Sequence, residues 1–315
     1  MSSLVETIAF IFGLVALGYA AGWFGLLKQQ TGDALSDFAV SVAVPLLLFR
    51  TMAGADFGGS LPLGLWVSYF TAVAVTWLAG HLVIVHAFGR EKRAAVVGGL
   101  ASSFSNLVLL GIPFMLGVYG QPGFEVLSLI VSIHLPIMIG TSILLFGWLG
   151  EGEEARGLAG AAADFARSLA SSPLIIGIAA GLLWRAAGIG MPSLMERLVD
   201  ALADVAGPVA LFAMGLGLRR YGITGNVRPA LAVAGLKLFL MPGIALVMAK
   251  LMGLPPMSAK VVVAAASLPS GVNPYLIAMR FGTGQAISSN AMSLGTAAAV
   301  LTTAFWLAVA QWVIG

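Results

Sequence analysis

Hydrophobic runs of membrane-spanning length recur along the whole chain and are separated by short polar connections. A transmembrane helix needs about 20 predominantly apolar residues to cross the hydrocarbon core of a bilayer. Runs that meet this requirement, referred to below as spans 1 to 10, occupy residues 4–22, 34–52, 61–86, 94–118, 124–149, 169–187, 194–218, 228–250, 258–281 and 287–313. The pattern predicts an all-α membrane protein with ten transmembrane helices.

The order of short motifs in the first half of the chain recurs in the second half. An Asp-Ala-Leu-x-Asp motif ends at Asp37 and again at Asp204, and a Pro-x-x-Leu-Phe motif follows each copy. Because five spans is an odd number, the second copy must enter the membrane in the opposite orientation. We therefore expect one membrane domain made of two inverted five-helix repeats, at 1–149 and 169–315, joined by a short cytoplasmic connector at 150–168.

Span 9 contains residues that interrupt a helix. A proline inside a helix costs about 3 kcal/mol, because it removes a hydrogen-bond donor and clashes with the preceding turn. Pro269 and Pro274 lie on either side of Gly271 and Asn273. Since asparagine favours the N-cap and proline the first helical position, we expect one half-helix to end near Ser267 and another to begin at Asn273.

Span 4 contains a comparable polar cluster at membrane depth. Ser102, Ser103, Ser105 and Asn106 follow one another closely, and Pro113 lies seven residues beyond the asparagine. The cluster predicts a second break, with Ser105 or Asn106 as the N-cap. Asn106 and Asn273 are 167 residues apart, the same offset that separates Asp37 from Asp204.

Two breaks at matching repeat positions predict a binding site for an anion. The first N–H groups of a half-helix lack helical partners and carry a partial positive charge, which favours a carboxylate. The amides of two asparagines would donate to it, and neighbouring hydroxyl and backbone groups would complete the site. The predicted substrate-binding residues are Asn106, Asn273, Ser103, Ser105, Ser270 and Gly271. The alternative is that both breaks are packing kinks whose polar groups are satisfied internally.

Other residues within the spans are secondary candidates. We expect Pro45 and Pro208 to bend spans 2 and 7 rather than to contact substrate. Candidates for a role in the cavity or in ion coupling are Ser41, His134, Lys237, Asp37 and Asp204. A charge at membrane depth is costly and often functional. The structural alternatives are an interfacial position or an ion pair for the charged residues, and packing within the bundle for His134.

Composition limits the classes of function. Charged residues make up 9% of the 315, against roughly 25% in soluble domains, so lipid must surround most of the surface. There is no cysteine and there are only three histidines, which are dispersed, so we expect no metal site and no cofactor other than a coupling sodium ion or proton. No Walker loop or nucleophile elbow is present, and we expect no enzyme.

Basic residues in the connections predict the orientation. Ten Lys and Arg residues follow odd-numbered spans, and five follow even-numbered spans. The positive-inside rule places the odd-numbered connections in the cytoplasm and both termini outside, in a cytoplasmic (inner) membrane. The net charge of +3 reflects this bias, so we expect the lipid bilayer as partner and no nucleic acid.

The order of motifs resembles that of the auxin efflux carrier family, which includes bacterial malonate and malate carriers. The matching stretches are Leu17-Gly18-Tyr19 with Gly22, Pro45 to Phe49, Asn106 with Gly111-Ile112-Pro113, and Pro269 to Tyr275. The resemblance implies inverted repeats whose helices 4 and 9 cross at the substrate site, a fold similar to bile-acid symporters and sodium/proton antiporters. It also implies that Asn106 and Asn273 contact a substrate carboxylate, and that a homodimer forms through spans 1, 2, 6 and 7. The long central loop of plant auxin exporters is absent.

These patterns together predict a secondary transporter of a small organic anion, a mono- or dicarboxylate, that works by alternating access. The first alternative is a cation-coupled antiporter or ion pathway on the same scaffold. An intramembrane enzyme or a receptor is the third interpretation.

Overall fold

The computed structural model describes residues 3–54, 63–149, 167, 170–218, 225 and 227–315. Regular structure within these ranges is entirely helical. The helices are α1 Ser3–Trp23, α2 Gln29–Phe38, α3 Val44–Gly54, α4 Leu63–Leu82, α5 Lys92–Ser103, α6 Ile112–Leu149, α7 Pro173–Ala187, α8 Ser193–Ala203, α9 Ala206–Leu218, α10 Val227–Gly235, α11 Met241–Leu251, α12 Pro256–Ser267, α13 Asn273–Arg280 and α14 Gln285–Ile314. Short π-helical turns occupy Ala39–Ala43, Val83–Ala87, Leu107–Gly111 and Leu236–Leu240.

Seven helical stretches in the described part of the chain are long and apolar enough to cross a membrane. Six of them correspond to spans 1, 2, 3, 7, 8 and 10. The seventh, Lys92–Leu149, has 58 residues and covers spans 4 and 5. At about 1.5 Å per residue it is nearly three times longer than the ~30 Å hydrocarbon core. Gly120 interrupts it with φ 64° and ψ −159°. The all-helical prediction is thus confirmed, whereas ten spans in inverted repeats stay a prediction.

Both predicted helix breaks are present. α5 ends at Ser103, and Phe104 has extended backbone angles of φ −76° and ψ 126° before the turn that starts at Leu107. α12 ends at Ser267 and α13 begins at Asn273. The expected cap is wrong by one residue, because Val272 rather than Asn273 occupies the N-cap of α13. Its carbonyl oxygen accepts hydrogen bonds from the N–H groups of Tyr275 and Leu276.

The helices group into two units. The first contains Met1–Pro62, Leu107–Ser132 and Ser168–Arg220, and so includes spans 1, 2, 6 and 7. Glycines bring its helices close together: a Cβ atom added at Gly18 would collide with the carbonyl of Phe212, and one added at Gly177 with that of Pro45. Glycines in small-x-x-x-small motifs let membrane helices pack closely in this way.

An ion pair also holds helices of the first unit. The Arg50 guanidinium lies 2.9 Å from a carboxylate oxygen of Asp200 and 2.8 Å from one of Asp204. Arg50 directly follows the first Pro-x-x-Leu-Phe motif, and Asp200 and Asp204 precede the second. These interactions therefore link the two copies of the repeated motif.

The second unit contains Leu63–Asn106, Ile133–Arg167 and Tyr221–Gly315. Small and branched apolar side chains from α5, α10 and α14, among them Ala101, Val233 and Ile287, form a buried cluster. Small residues let these helices approach one another closely.

Candidate functional site

A backbone hydrogen bond joins the two broken segments within the second unit. The N–H of Asn106 donates to the carbonyl oxygen of Pro269 over 2.9 Å. A Cβ atom added at Gly271 would lie 3.3 Å from Cβ and Cγ of Asn106 and 3.4 Å from Cε1 of Phe104. The segments 104–106 and 269–271 are therefore in direct contact, and glycine permits the close approach.

The carbonyl groups at the end of α12 have side-chain donors. The Lys237 ammonium donates to the carbonyl oxygen of Ala266 over 2.5 Å, and the Thr303 hydroxyl donates to that of Ser267 over 3.3 Å. The Ser267 hydroxyl donates to the carbonyl oxygen of Ala264 over 2.8 Å. The carbonyl groups at the negative end of the helix dipole therefore have one lysine donor and two hydroxyl donors.

The serine before the break in span 4 also has a helical partner. The Ser103 hydroxyl donates to the carbonyl oxygen of Gly99 over 2.9 Å, and the side chain is fully buried. A hydroxyl that donates in this way keeps its acceptor lone pairs.

Three polar atoms beside the contact lack hydrogen-bond partners among the described residues. They are the hydroxyl oxygens of Ser105 and Ser270 and Nε2 of His134. The three residues are 0%, 3% and 3% exposed, respectively. A buried polar atom without a partner costs about 1–3 kcal/mol, and in native proteins it calls for an explanation such as a ligand or an ordered water. The serines belong to the two broken segments that touch.

His134 lies beside the broken segment of span 4. Its ring centroid is 4.8 Å from that of Phe104, and its Nδ1 is 3.4 Å from the Tyr69 hydroxyl. Both side chains also lie near Ser105, but neither makes a well-formed hydrogen bond to its hydroxyl group. The sequence left the role of His134 open, and the structure places it beside the broken segment of span 4.

The two asparagines occupy different surroundings. Asn106 is 8% exposed, and Asn273 is half-buried at the first position of α13, directly before Pro274. An amide side chain at either position can both donate and accept hydrogen bonds. Both residues belong to the second unit, as do Ser103, Ser105, Ser270 and Gly271.

Several other candidates belong to the first unit. Asp37 and Ser41 are exposed there, and Asp204 pairs with Arg50. The prolines at 45, 113 and 208 each lie within the first three residues of a helix, α3, α6 and α9 respectively. Pro45 follows a π-helical turn, and Pro208 follows the interruption between α8 and α9. The bending role expected of them stays a prediction.

Sequence reasoning missed Tyr69 and Thr303. Each is a polar residue in an apolar span, next to another polar residue, Ser68 and Thr302 respectively. That signal marks a candidate but does not reveal its partner, because the contact joins spans far apart in the sequence. Within the described residues, no group of three or more His, Cys, Asp or Glu side chains could hold a metal ion.

Comparisons with known proteins show the family to which the chain belongs. A family described as "Membrane transport protein" matches residues 3–160 and 161–307. A protein of Rhizobium meliloti named "Putative malonate transporter" is 26% identical over 96% of this chain and 94% of its own length. An "Uncharacterized transporter" of Methanothermobacter thermautotrophicus is 24% identical over 96% of this chain and 97% of its own. "Auxin efflux carrier component 8" of Arabidopsis thaliana is 24% identical over 92% of each chain. The chain is therefore an integral membrane transporter rather than an enzyme, and it belongs to the membrane transport protein family, with the auxin efflux carriers among its relatives.

Proposed function

We propose that the protein is a secondary transporter of small organic anions, mono- or dicarboxylates, and that substrate binds where spans 4 and 9 cross. The observation that carries the proposal is the contact between the two broken segments, with two buried hydroxyl groups beside it that have no partner in the described structure. Broken helices that meet near the bilayer midplane are the usual binding sites of secondary transporters.

The chemistry of the segments favours an anion. Residues 101–113 and 264–279 contain no Asp or Glu, and they supply amide and hydroxyl donors instead. The Lys237 side chain donates to the carbonyl oxygen of Ala266 in span 9. A carboxylate has two oxygen atoms that accept several hydrogen bonds, and hydrogen bonds to a charged group contribute about 1.5–3 kcal/mol each. The name of the Rhizobium relative supports a dicarboxylate such as malonate.

Transport by alternating access completes the proposal. Spans 1, 2, 6 and 7 would move against the remaining spans, so that the site opens to each side of the inner membrane in turn. The same proposal includes ten spans in two inverted repeats, both termini outside the cell, and a homodimer through spans 1, 2, 6 and 7. The cation-coupled alternative would place sodium on carbonyls of a broken helix, and those at the end of α12 already receive donors from Lys237 and Thr303.

A binding screen tests the anion site. Malonate, malate and acetate are expected to raise the melting temperature of the purified protein, whereas malonamide and acetamide are not. A ligand at a hundred times its dissociation constant stabilises the folded state by about 2.7 kcal/mol. Equal stabilisation by carboxylates and by their amides would contradict the proposal.

The Ser270 hydroxyl is expected to stabilise bound substrate and to destabilise the substrate-free protein. Ser270→Ala removes a buried oxygen that has no partner among the described residues, so the substrate-free protein should gain about 1 kcal/mol of stability. Malonate affinity should fall about tenfold, because a donor to the carboxylate is lost.

The matched control is Ser142→Ala. Ser142 is fully buried, and its hydroxyl donates to the carbonyl oxygen of Met138 over 2.7 Å. This variant should leave malonate affinity unchanged. If Ser270→Ala is less stable than wild type and its malonate affinity is unchanged, Ser270 has a structural role and does not bind substrate.

A further inference from the structure

The second unit contains a lysine that is almost completely buried. Lys237 is 1% exposed, and it lies in the π-helical turn Leu236–Leu240 between α10 and α11. A π-helical turn adds a residue to the helix and so changes the direction of a side chain, often at a functional site. A lysine within a membrane span is costly unless it is compensated.

The compensation for this charge comes from backbone rather than from an acid. Residues 230–245 and 258–275 contain no Asp or Glu. The ammonium instead donates to the carbonyl oxygen of Ala266 in the last turn of α12. The end of a helix carries about half a negative charge, so the helix end and the lysine stabilise each other.

The same carbonyls have the chemistry of a sodium site. In secondary transporters with broken helices, the carbonyl groups at the ends of half-helices coordinate sodium. Here the carbonyl oxygen of Ala266 accepts from Lys237, and the next carbonyl oxygen, that of Ser267, accepts from the Thr303 hydroxyl. These are three oxygen atoms of the kind that hard cations prefer. An ammonium supplies the same single positive charge to these oxygens as sodium would.

We propose that Lys237 is a resident cation at the end of α12, so that transport needs no sodium, and that its removal opens a site for a monovalent cation formed by the Ala266 and Ser267 carbonyls and the Thr303 hydroxyl. The transport half of this statement rests on the proposed function. The binding half does not, because sodium binding by the variant is measured without substrate.

The test compares wild type with Lys237→Ala in sodium chloride and in choline chloride at equal ionic strength. Without any substrate, the melting temperature of Lys237→Ala is expected to rise with sodium in a saturable way, while wild type is indifferent. Malonate counterflow by wild type should be equal in the two salts. Counterflow by Lys237→Ala should fall at least tenfold in choline chloride and recover in sodium chloride.

The control is Lys260→Ala, which removes an exposed lysine that donates to the carbonyl oxygen of Gly315 over 2.9 Å. This variant should behave as wild type in both salts.

If Lys237→Ala does not fold in choline chloride, Lys237→Gln keeps an amide donor for Ala266 and should fold without sodium. Sodium dependence of wild-type counterflow, or a folded Lys237→Ala that ignores sodium, would overturn the proposal. Absence of malonate counterflow in every salt, with sodium binding by the variant intact, would instead count against the proposed function.

Discussion

Asn106→Asp is expected to abolish carboxylate binding and to leave the fold of the broken segment intact. The substitution keeps the size of the side chain but replaces a donor amide with a carboxylate that repels the anion. Loss of one hydrogen bond to a charged group weakens binding about 10- to 150-fold, and repulsion adds to this. The backbone N–H of residue 106 still donates to Pro269, so the contact between the segments survives. Calorimetric titration with malonate measures the effect.

The control for this charge change is Gln30→Glu. Gln30 is an exposed residue in the first turn of α2, where a negative charge is tolerated, and the chemical change is the same. Malonate affinity should be unchanged in this variant. If Asn106→Asp binds malonate with wild-type affinity, Asn106 is not part of the site. Malonate titration of Asn273→Asp would then show whether either asparagine takes part.

Gly18→Ala is expected to destabilise the first unit severely. A Cβ atom at position 18 would collide with the backbone carbonyl of Phe212, which cannot move aside as a flexible side chain would. Overpacking of this kind costs about 1–3 kcal/mol, and sometimes more. The melting temperature and the yield of monodisperse protein in detergent should both fall.

Gly13→Ala is the matched control, because it lies in the same helix α1 and nothing lies within 4 Å of an added Cβ atom. Alanine is favoured over glycine in a helix by about 0.5–1 kcal/mol, so this variant should be as stable as wild type or more so. Equal melting temperatures for the two variants would show that α1 and α9 are not packed as closely as described.

The helix breaks could be predicted from sequence because proline and asparagine act locally. Pro269 removes a donor and drives Leu268 to an extended conformation, with φ −65° and ψ 146°, whatever surrounds it. The exact cap could not be predicted, because Val272 adopts helical angles of φ −72° and ψ −24° and its carbonyl oxygen accepts the first hydrogen bonds of the helix, from Tyr275 and Leu276. The close packing at Gly18 and Gly177 also depends on a local feature, the absence of a side chain.

The partners of polar residues could not be predicted in this way. Lys237 donates to Ala266, 29 residues away, and the Ser267 carbonyl accepts from Thr303, 36 residues away. Hydropathy marks such residues as unusual in a span, but only the packing of α10 to α14 decides which of them meet. The role of His134 was left open by the sequence for the same reason, and its contacts with Phe104 and Tyr69 place it beside the broken segment of span 4.

The measurement that tests the central claim most directly is malonate counterflow in proteoliposomes, with wild type, Asn106→Asp and Gln30→Glu reconstituted in parallel. Wild type and Gln30→Glu are predicted to accumulate labelled malonate against unlabelled malonate inside the vesicles, and Asn106→Asp is predicted to fall to the level of empty liposomes. Counterflow by Asn106→Asp at the wild-type rate would contradict an anion site at the contact between the two broken segments.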